Sequence, residues 1–427
     1  MPLAQSTRLG LGLCVVTLAA ACVVPADDDL DLVESHEAAL TAVTSFGSNP
    51  GNLKMYTHLP AGVPSGAPLV IALHGCTQTA LDYVKAGWNQ LADQWKFHVV
   101  YPEQQTANNS SRCFNWFEVN DTARDSGEML SIRQMVDYMK SQHGVDPGRV
   151  FVTGLSAGAA MTSSLLAVYP DVFSGGAIMA GLPHRCATST TQAYSCMSPG
   201  VDKSPSAWGD LVRAAVPGYA GPRPKVSIWH GTSDFTVVQK NMVELVDQWT
   251  NVRGIDATAD ATSTVDGVTR SEYRDAAGKT LVETYSIPNM GHGTPIDPGY
   301  APAGGCGTAG AYILDANICS TYHVGRFFGL DAGGGGGTSS SSSSGTGGTG
   351  GTGGTGGTGG TGGTGGTCEE FYDTNYNHVV VGRAVRCGVG GSYVCALGSN
   401  NSLGLYTLIS TWVRRTAPSY YEAGRCL

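Results

Sequence analysis

The sequence predicts a doubly wound α/β domain with a mainly parallel sheet, followed by a small β-rich module held together by disulfides. From about residue 46 to residue 331, short continuous apolar runs alternate with segments of helical periodicity. This alternation is typical of strands and the helices that cover them. A stretch rich in glycine, serine and threonine at 332–367 then precedes a cysteine-containing segment, 368–427. We therefore expect a large domain, a flexible linker and a separate module.

Six apolar runs of the large domain are candidate strands. Most are continuous rather than alternating, so we expect both of their faces to be buried. Between the second and third runs, residues 127–143 have apolar side chains at helical spacing, which predicts a helix. The stripe of this helix would consist of Met129, Ile132, Val136 and Met139. The candidate strands are 69–73, 97–101, 149–153, 176–180, 225–229 and 281–287.

The third apolar run leads directly into Gly154-Leu-Ser-Ala-Gly158, and a stretch of small residues follows. A strand, a sharp turn that holds a serine and then a helix is the context in which G-x-S-x-G forms a nucleophile elbow. The glycines have a steric reason, because so tight a turn leaves no room for Cβ atoms on either side of the serine. Ser156 is therefore the predicted nucleophile.

Two residues further along the chain are candidates for the rest of a catalytic triad. Asp234 follows the fifth strand in the segment His230-Gly-Thr-Ser-Asp234, and His292 lies between glycines after the sixth. Serine, acid and histidine in this chain order are typical of α/β-hydrolases. Asp297 and Asp171 are rival acids for the second role, and Asp234 is preferred because it directly follows a strand. His230 is expected to have a structural role.

An acyl-transfer site also needs two fixed N–H donors for the oxyanion. In this architecture one donor belongs to the residue after the nucleophile, here Ala157, and the other to the loop after an early strand. That loop begins with His74-Gly-Cys76, so we expect the backbone N–H of Cys76 to be the second donor. His74 is expected to order this loop.

The first 21 residues have the features of an export signal. Arg8 precedes an apolar core, 9–18, and Ala19-Ala-Ala21 would be the cleavage site. The acidic segment 22–45 would be a tether. Cys22 directly follows the cleavage site, so two forms stay open: a secreted protein, or one anchored to the membrane through a lipidated Cys22.

The cysteines agree with export. Twelve occur in the chain, and an even number remains when Cys14 and Cys22 are set aside, as expected in an oxidising compartment. Sequence spacing does not fix the connectivity. No C-x-x-C pair occurs, so zinc is not expected. The candidate pairs are Cys76 with Cys113, Cys186 with Cys196, Cys306 with Cys319, Cys387 with Cys395, and Cys368 with Cys426.

The C-terminal segment 368–427 contains short alternating runs between glycines, which predicts a small β domain. The candidate strands there are 379–381, 392–394 and 406–409. Its many aromatic side chains would fill its core or stack on a polymer. Those aromatic residues are Tyr372, Tyr376, Tyr406, Trp412, Tyr420 and Tyr421.

Several segments together resemble a known family, the polyhydroxybutyrate depolymerase-type esterases, which include feruloyl and acetylxylan esterases of carbohydrate esterase family 1. The matching segments are 73–77 (LHGCT), 112–117 (RCFNWF), 154–158 (GLSAG), 230–234 (HGTSD), 290–295 (MGHGTP) and 326–329 (RFFG), with Cys306 and Cys319. The resemblance implies an α/β-hydrolase fold, a Ser156/Asp234/His292 triad and a cysteine N–H in the oxyanion hole. The last module looks similar to a C-terminal domain of some of these enzymes at 375–378 and 382–384.

The expected function is that of an exported serine esterase that acts on an insoluble polymer through an acyl-enzyme. Two substrate classes stay open: polyhydroxyalkanoate polyester, and feruloyl or acetyl esters of plant cell-wall polysaccharide. A non-catalytic surface adhesion protein is the alternative from another class. The net charge is −9 without a basic stripe, so nucleic acid is not an expected partner. No cofactor and no metal are expected.

Overall fold

A computed structural model describes residues 40–331 and, beyond them, the segments 369–374, 383–387, 393–396, 402–405, 410–417 and 420–423. Ten strands form one sheet in the order β1-β2-β4-β3-β5-β6-β7-β10-β9-β8. These strands are β1 Thr41–Val43, β2 Lys54–His58, β3 Leu69–Leu73, β4 His98–Glu103, β5 Val150–Leu155, β6 Gly175–Met179, β7 Lys225–Gly231, β8 Ala261–Val265, β9 Val268–Arg274 and β10 Thr280–Ile287.

The six central strands, from β4 across to β10, run parallel, and all six were predicted from their apolar runs. Four of them, β3 to β6, are buried along their whole length. The antiparallel pairs at the two sides of the sheet were not predicted. Their sequences lack a continuous apolar run because one face is partly exposed, as in β8.

Helices cover both faces of the sheet, and each face has its own apolar core. The helix α3 begins at residue 127 and ends at 143 as predicted, and its whole predicted stripe is buried. Gly144 ends it in the left-handed conformation with φ +61°. The helices are α1 Ala80–Val84, α2 Trp88–Trp95, α3 Gly127–His143, α4 Ala157–Val168, α5 Thr190–Met197, α6 Pro205–Ala215, α7 Lys240–Arg253 and α8 Ser320–Phe328. A 3₁₀ turn spans Ala301–Ala303, and β11 Thr294–Ile296 pairs with β12 Ile313–Asp315.

The sheet begins earlier than predicted. Residues 41–43, assigned to the tether 22–45, form the edge strand β1 and pair with β2. The segment is mostly exposed and carries no apolar run, so its sequence gives no strand signal. The export signal, the rest of the tether up to residue 39 and the linker 332–367 lie outside the described residues.

The described residues beyond 368 are all in or beside antiparallel strands. β13 Glu369–Thr374, β17 Ser410–Ala417 and β18 Tyr420–Ala423 form one sheet, and β14 Ala384–Cys387, β15 Tyr393–Ala396 and β16 Ser402–Leu405 form another. β15 overlaps the predicted strand 392–394, whereas 379–381 and 406–409 lie outside the described residues.

Three of the candidate disulfides are present. They join Cys76 to Cys113, Cys186 to Cys196, and Cys306 to Cys319. Cys395 is also disulfide-bonded, while its pairing with Cys387 stays a prediction, as does the pair Cys368–Cys426. Among the helices of the described residues, none is long and apolar enough to cross a membrane.

Candidate active site

Ser156 lies in the sharp turn between β5 and α4. Its φ is +57° and its ψ −117°, a strained conformation for a residue with a Cβ. A Cβ on Gly154 would come within 2.5 Å of the Gly158 carbonyl, and one on Gly158 within 2.5 Å of the carbonyl oxygen of His74. The two glycines therefore let strand, turn and helix pack closely around the serine, which lies at the carboxyl edge of the sheet.

Asp234 and His292 come from two neighbouring loops at the same edge. The β7 loop (residues 232–238) carries Asp234, and the β10 loop (residues 288–293) carries His292. The imidazole Nδ1 donates a hydrogen bond to Asp234 Oδ2 over 2.7 Å, and both side chains are buried. No hydrogen bond joins Ser156 to His292 within residues 40–331. Such bonds commonly tighten only when substrate binds.

The two loops are packed against each other through their backbones. The Ser233 N–H donates to the Met290 carbonyl over 3.0 Å. A Cβ on Gly231 would overlap that same carbonyl oxygen. The Asn289 N–H donates to Thr232 Oγ1. The approach of Asp234 to His292 is therefore fixed by main-chain contacts as well as by the hydrogen bond between them.

The surroundings of Asp234 favour its ionised form. Burial would raise its pKa, but His292 and His230 outweigh burial through charge and hydrogen bonding, so its pKa lies well below the ordinary value. Its other oxygen, Oδ1, accepts the backbone N–H groups of Thr236 and Val237, each over 2.9 Å. A carboxylate held in this way keeps Nδ1 of His292 protonated and leaves Nε2 free to accept a proton.

His230 Nε2 lies 3.4 Å from Asp234 Oδ2 and supports that carboxylate, whereas the two rival acids have other partners. His230 is fully buried, and its Nε2 donates to the Val237 carbonyl over 2.7 Å, which agrees with the structural role expected for it. Asp171 forms a bidentate pair with Arg124. Asp297 accepts the backbone N–H of Gly299.

His74 orders the β3 loop (residues 74–77), as expected. Its Nδ1 donates to the Gly75 carbonyl over 2.7 Å, and its Nε2 accepts the backbone N–H of Gln104 over 3.0 Å. These partners require a neutral ring with the proton on Nδ1. Complete burial lowers the pKa of His74 to about 4, which keeps it neutral at physiological pH.

The two predicted oxyanion donors lie on segments that touch. The β3 loop, which carries Cys76, contacts the start of α4 where the His74 carbonyl meets Gly158. Ala157 is the first residue of α4, and an N–H at that position has no acceptor inside its own helix. The disulfide from Cys76 to Cys113 holds the β3 loop from the other side.

Three polar residues support the β3 loop and were missed by sequence reasoning. Gln78 accepts the Gly75 N–H and donates to the Ala311 carbonyl. Gln104 donates through its side chain to Glu128 and to the Cys113 carbonyl. Burial, and the nearby Asp121, raise the pKa of Glu128 well above its ordinary value. Of the three residues, only Gln104 had a signal in the sequence, namely its position directly after the apolar run that forms β4.

No cluster of metal-ligating side chains is present in the part of the chain that the structure describes. The ten-stranded sheet, the sharp turn at Ser156 and the hydrogen-bonded pair Asp234–His292 are those of an α/β-hydrolase.

Comparison with known proteins identifies the family. The model of the family "Esterase PHB depolymerase" matches residues 53–274. A poly(3-hydroxyalkanoate) depolymerase C of Paucimonas lemoignei is 60% identical over 292 residues, which cover 68% of this chain and 70% of that protein. The chain therefore belongs to the esterase PHB depolymerase family, and it is a carboxylic ester hydrolase.

More distant relatives are esterases as well. An acetylxylan esterase of Coprinopsis cinerea is 41% identical over 265 residues, 60% of this chain and 69% of that protein. The solved structure of an acetyl xylan esterase from Aspergillus awamori superimposes with a TM-score of 0.58 at 27% identity, over 68% of this chain and 99% of that one. A non-catalytic adhesion protein finds no support among these relatives.

Proposed function

We propose that this chain hydrolyses poly(3-hydroxyalkanoate) polyester through an acyl-enzyme, with Ser156, His292 and Asp234 as its triad. The observation that supports the substrate is the 60% identity to the Paucimonas lemoignei depolymerase, compared with 41% to the acetylxylan esterase and 33% to a feruloyl esterase B of Talaromyces stipitatus. The hydrogen bond between His292 and Asp234 supports the triad.

In the first half-reaction His292 Nε2 takes the proton of Ser156 Oγ as that oxygen attacks the ester carbonyl carbon. The carbonyl oxygen becomes an oxyanion, and the N–H groups of Cys76 and Ala157 would stabilise it, each typically worth about 10²–10³ in kcat. When the tetrahedral intermediate collapses, the ester C–O bond breaks, and the leaving alkoxide receives the proton from His292.

In the second half-reaction water replaces the alcohol. His292 takes a proton from the water molecule as the water oxygen attacks the acyl carbon. When this second tetrahedral intermediate collapses, the bond from the acyl carbon to Ser156 Oγ breaks, and His292 gives its proton to that oxygen. The released acid is a carboxylate with a free hydroxyl at its other end if the substrate is a polyhydroxyalkanoate. Asp234 stays ionised throughout and stabilises the imidazolium that forms in both halves.

A cell-wall ester is the second candidate substrate, because the Aspergillus awamori acetyl xylan esterase shares the fold along 99% of its length. The test is a parallel assay of one preparation on polyhydroxybutyrate film, acetylxylan and methyl ferulate, with Ser156→Ala as the blank. We expect film hydrolysis to exceed the other two at equal enzyme. Release of acetate or ferulate without any soluble product from the film would contradict the proposed substrate.

The segment 368–427 is proposed to bind the insoluble polymer. A flexible tether raises the substrate concentration that the catalytic domain experiences, so removal of 332–427 should lower activity on film several-fold. Turnover of a soluble p-nitrophenyl ester should not change. Equal activity of both forms on film would contradict this role.

Export is proposed from residues 1–21 and is supported by the disulfides of the structure. The mass of the mature N-terminal peptide distinguishes a protein cleaved after Ala21 from one that carries a diacylglyceryl group on Cys22. An uncleaved N-terminus would contradict the proposal.

A further inference from the structure

A cavity of about 640 Å³ lies at the edge of the sheet opposite to Ser156. Its walls include Arg149, Ser174 and Lys279, which directly precede β5, β6 and β10, and Lys225, the first residue of β7. The amino ends of parallel strands share one edge of a sheet, whereas Ser156, Asp234 and His292 follow the carboxyl ends. We call this space the basic cavity, and it takes no part in the chemistry proposed above.

Among the described residues, the charged side chains that line the basic cavity are cationic with one exception. Five cationic side chains contribute to its lining, although the chain as a whole has a net charge of −9. Asp171 is the only carboxylate that the described residues contribute to the lining, and both of its oxygens already accept hydrogen bonds from Arg124, over 2.9 and 2.8 Å. The cations are Arg149, Arg223, Lys225, Arg253 and Lys279.

None of these five cations has an anionic partner within ion-pair distance in the described part of the chain. Three of the five donate hydrogen bonds to neutral carbonyl groups. Lys225 Nζ donates to the Phe327 carbonyl, Arg253 Nη1 to the Arg223 carbonyl, and Arg149 Nη2 to the Gly329 carbonyl over 3.3 Å. Two further nitrogens are buried without any acceptor among the described residues: Arg223 Nη1 and Arg253 Nε.

The partial burial of these cations is costly without a counter-ion, because a carbonyl replaces only in part the hydration that they lose. The pKa values of the cationic side chains are consistent with this cost. Burial, and secondarily the nearby Lys279, lower the pKa of Lys225 to about 8. Burial also lowers the pKa values of Arg223 and Arg253. An anion in the cavity would accept the free N–H groups and compensate these charges.

We propose that the basic cavity is a binding site for a small oxyanion, a carboxylate or a phosphate. A guanidinium presents its N–H groups as a planar fork that fits two oxygens of such a group, and two of the guanidinium groups here have free nitrogens. The volume is that of a site for a small molecule. Phe151 and Phe328, whose rings stack 4.4 Å apart, give the cavity an apolar wall as well.

The test is calorimetric titration of the full chain with two probes, butyrate and inorganic phosphate, at constant ionic strength set with sodium chloride. We expect saturable binding of at least one probe. Arg223→Met should weaken it about tenfold or more, since a charged hydrogen bond is lost. Lys279→Met should weaken it about threefold, as for an exposed charge. Which probe binds identifies the oxyanion as organic carboxylate or phosphate.

Controls separate this site from the rest of the molecule. Lys240→Met removes a surface cation paired with Asp202 outside the cavity, and affinity should not change. Hydrolysis of a soluble ester should stay within about twofold in both cavity variants, because they lie at the other edge of the sheet. Lys279 is exposed, so its variant keeps the test valid if Arg223→Met fails to fold. Absence of saturable binding of either probe, or unchanged affinity in the cavity variants, would overturn the proposal.

Discussion

The loops on the two sides of Ser156 are held in place by different physical means. The β3 loop is fixed by a disulfide and by neutral hydrogen bonds, in which His74 has one defined tautomer. The β7 and β10 loops are joined by backbone hydrogen bonds and, in addition, by the contact between the ionised Asp234 and His292. The difference follows from their proposed roles, since a backbone donor only has to stay in place, whereas a general base has to gain and lose a proton.

The same difference predicts different sensitivities. A loop held by neutral groups should respond to reductant and to protonation of its buried histidine. A loop held by a carboxylate should respond to the removal of that charge. Apart from Ser156→Ala, each of the following substitutions changes the loops on one side of the serine, while the other side serves as the reference.

The largest effect is expected for Ser156→Ala, because the loops on both sides position groups that act together with this serine. Loss of the nucleophile of a triad costs about 10⁶ in kcat. The measurement is hydrolysis of p-nitrophenyl butyrate, with circular dichroism to show that the fold is intact. Ser163→Ala is the matched control in the same helix, because Ser163 Oγ is buried without a partner among the described residues. Activity of Ser156→Ala within tenfold of the unchanged protein would disprove the assignment.

Asp234→Asn should have the next largest effect, about 10⁴ in kcat. The amide can still accept the N–H groups of Thr236 and Val237, but it no longer fixes the proton of His292 on Nδ1. The controls are Asp297→Asn and Asp171→Asn, which should change kcat less than twofold. A larger loss in either control than in Asp234→Asn would transfer the acid role to that residue.

The parallel centre of the fold was predictable because its strands are continuous apolar runs such as 69–73. The edge strands were not, since a segment such as 41–43 is mostly exposed and takes its conformation from pairing with β2. The candidate site residues could be proposed for a related reason. Cys76, Ser156 and Asp234 come shortly after predicted strands, and the carboxyl ends of parallel strands share an edge, whereas His292 was proposed from the chain order of serine, acid and histidine.

The residues that support the β3 loop could not be found in this way. Glu128 lies in the first turn of an amphipathic helix, where an acidic side chain is usually solvated and favoured by the helix dipole. Here it is buried and accepts hydrogen bonds from Gln104 and from the backbone of Asn115. A buried network of this kind depends on contacts across several elements, which no local pattern contains.

His74→Gln tests the β3 loop, which is held by a disulfide and by neutral hydrogen bonds. The pKa of His74 is lowered to about 4 in the folded protein, whereas an unfolded histidine has a pKa of about 6.5. As the pH falls, the His74 ring is therefore protonated in the unfolded chain before it is protonated in the folded protein. Above about pH 6.5 the neutral His74 ring does not reduce the free energy of unfolding. As the pH falls toward 4, protonation of the unfolded chain lowers that free energy by about 3 kcal/mol.

The measurement is urea unfolding between pH 4 and 7, together with kcat at pH 7. We expect the variant to have a shallower pH dependence of stability and a kcat lowered by up to about 10², because a small displacement of the β3 loop moves the Cys76 N–H. His184→Gln is a control, since burial lowers the pKa of His184 to about 3 while its ring contacts Ser164 in α4. It should flatten the same profile with a smaller change of kcat. An unchanged pH profile in His74→Gln would show that His74 is not held neutral.

The smallest effect on turnover is expected from the disulfide between Cys76 and Cys113. The double substitution Cys76→Ser/Cys113→Ser keeps the backbone N–H of residue 76 but frees the loop, so kcat should fall only several-fold. The free energy of unfolding should fall by about 2–4 kcal/mol, because the bond closes a long loop. The matched variant Cys186→Ser/Cys196→Ser opens a shorter loop, with a separation of 10 residues against 37. It should lose stability while kcat stays within about twofold. If both variants lose stability and neither loses turnover, the disulfide stabilises the fold without positioning the Cys76 donor, and hydrogen bonds of His74 and Gln78 suffice to hold it.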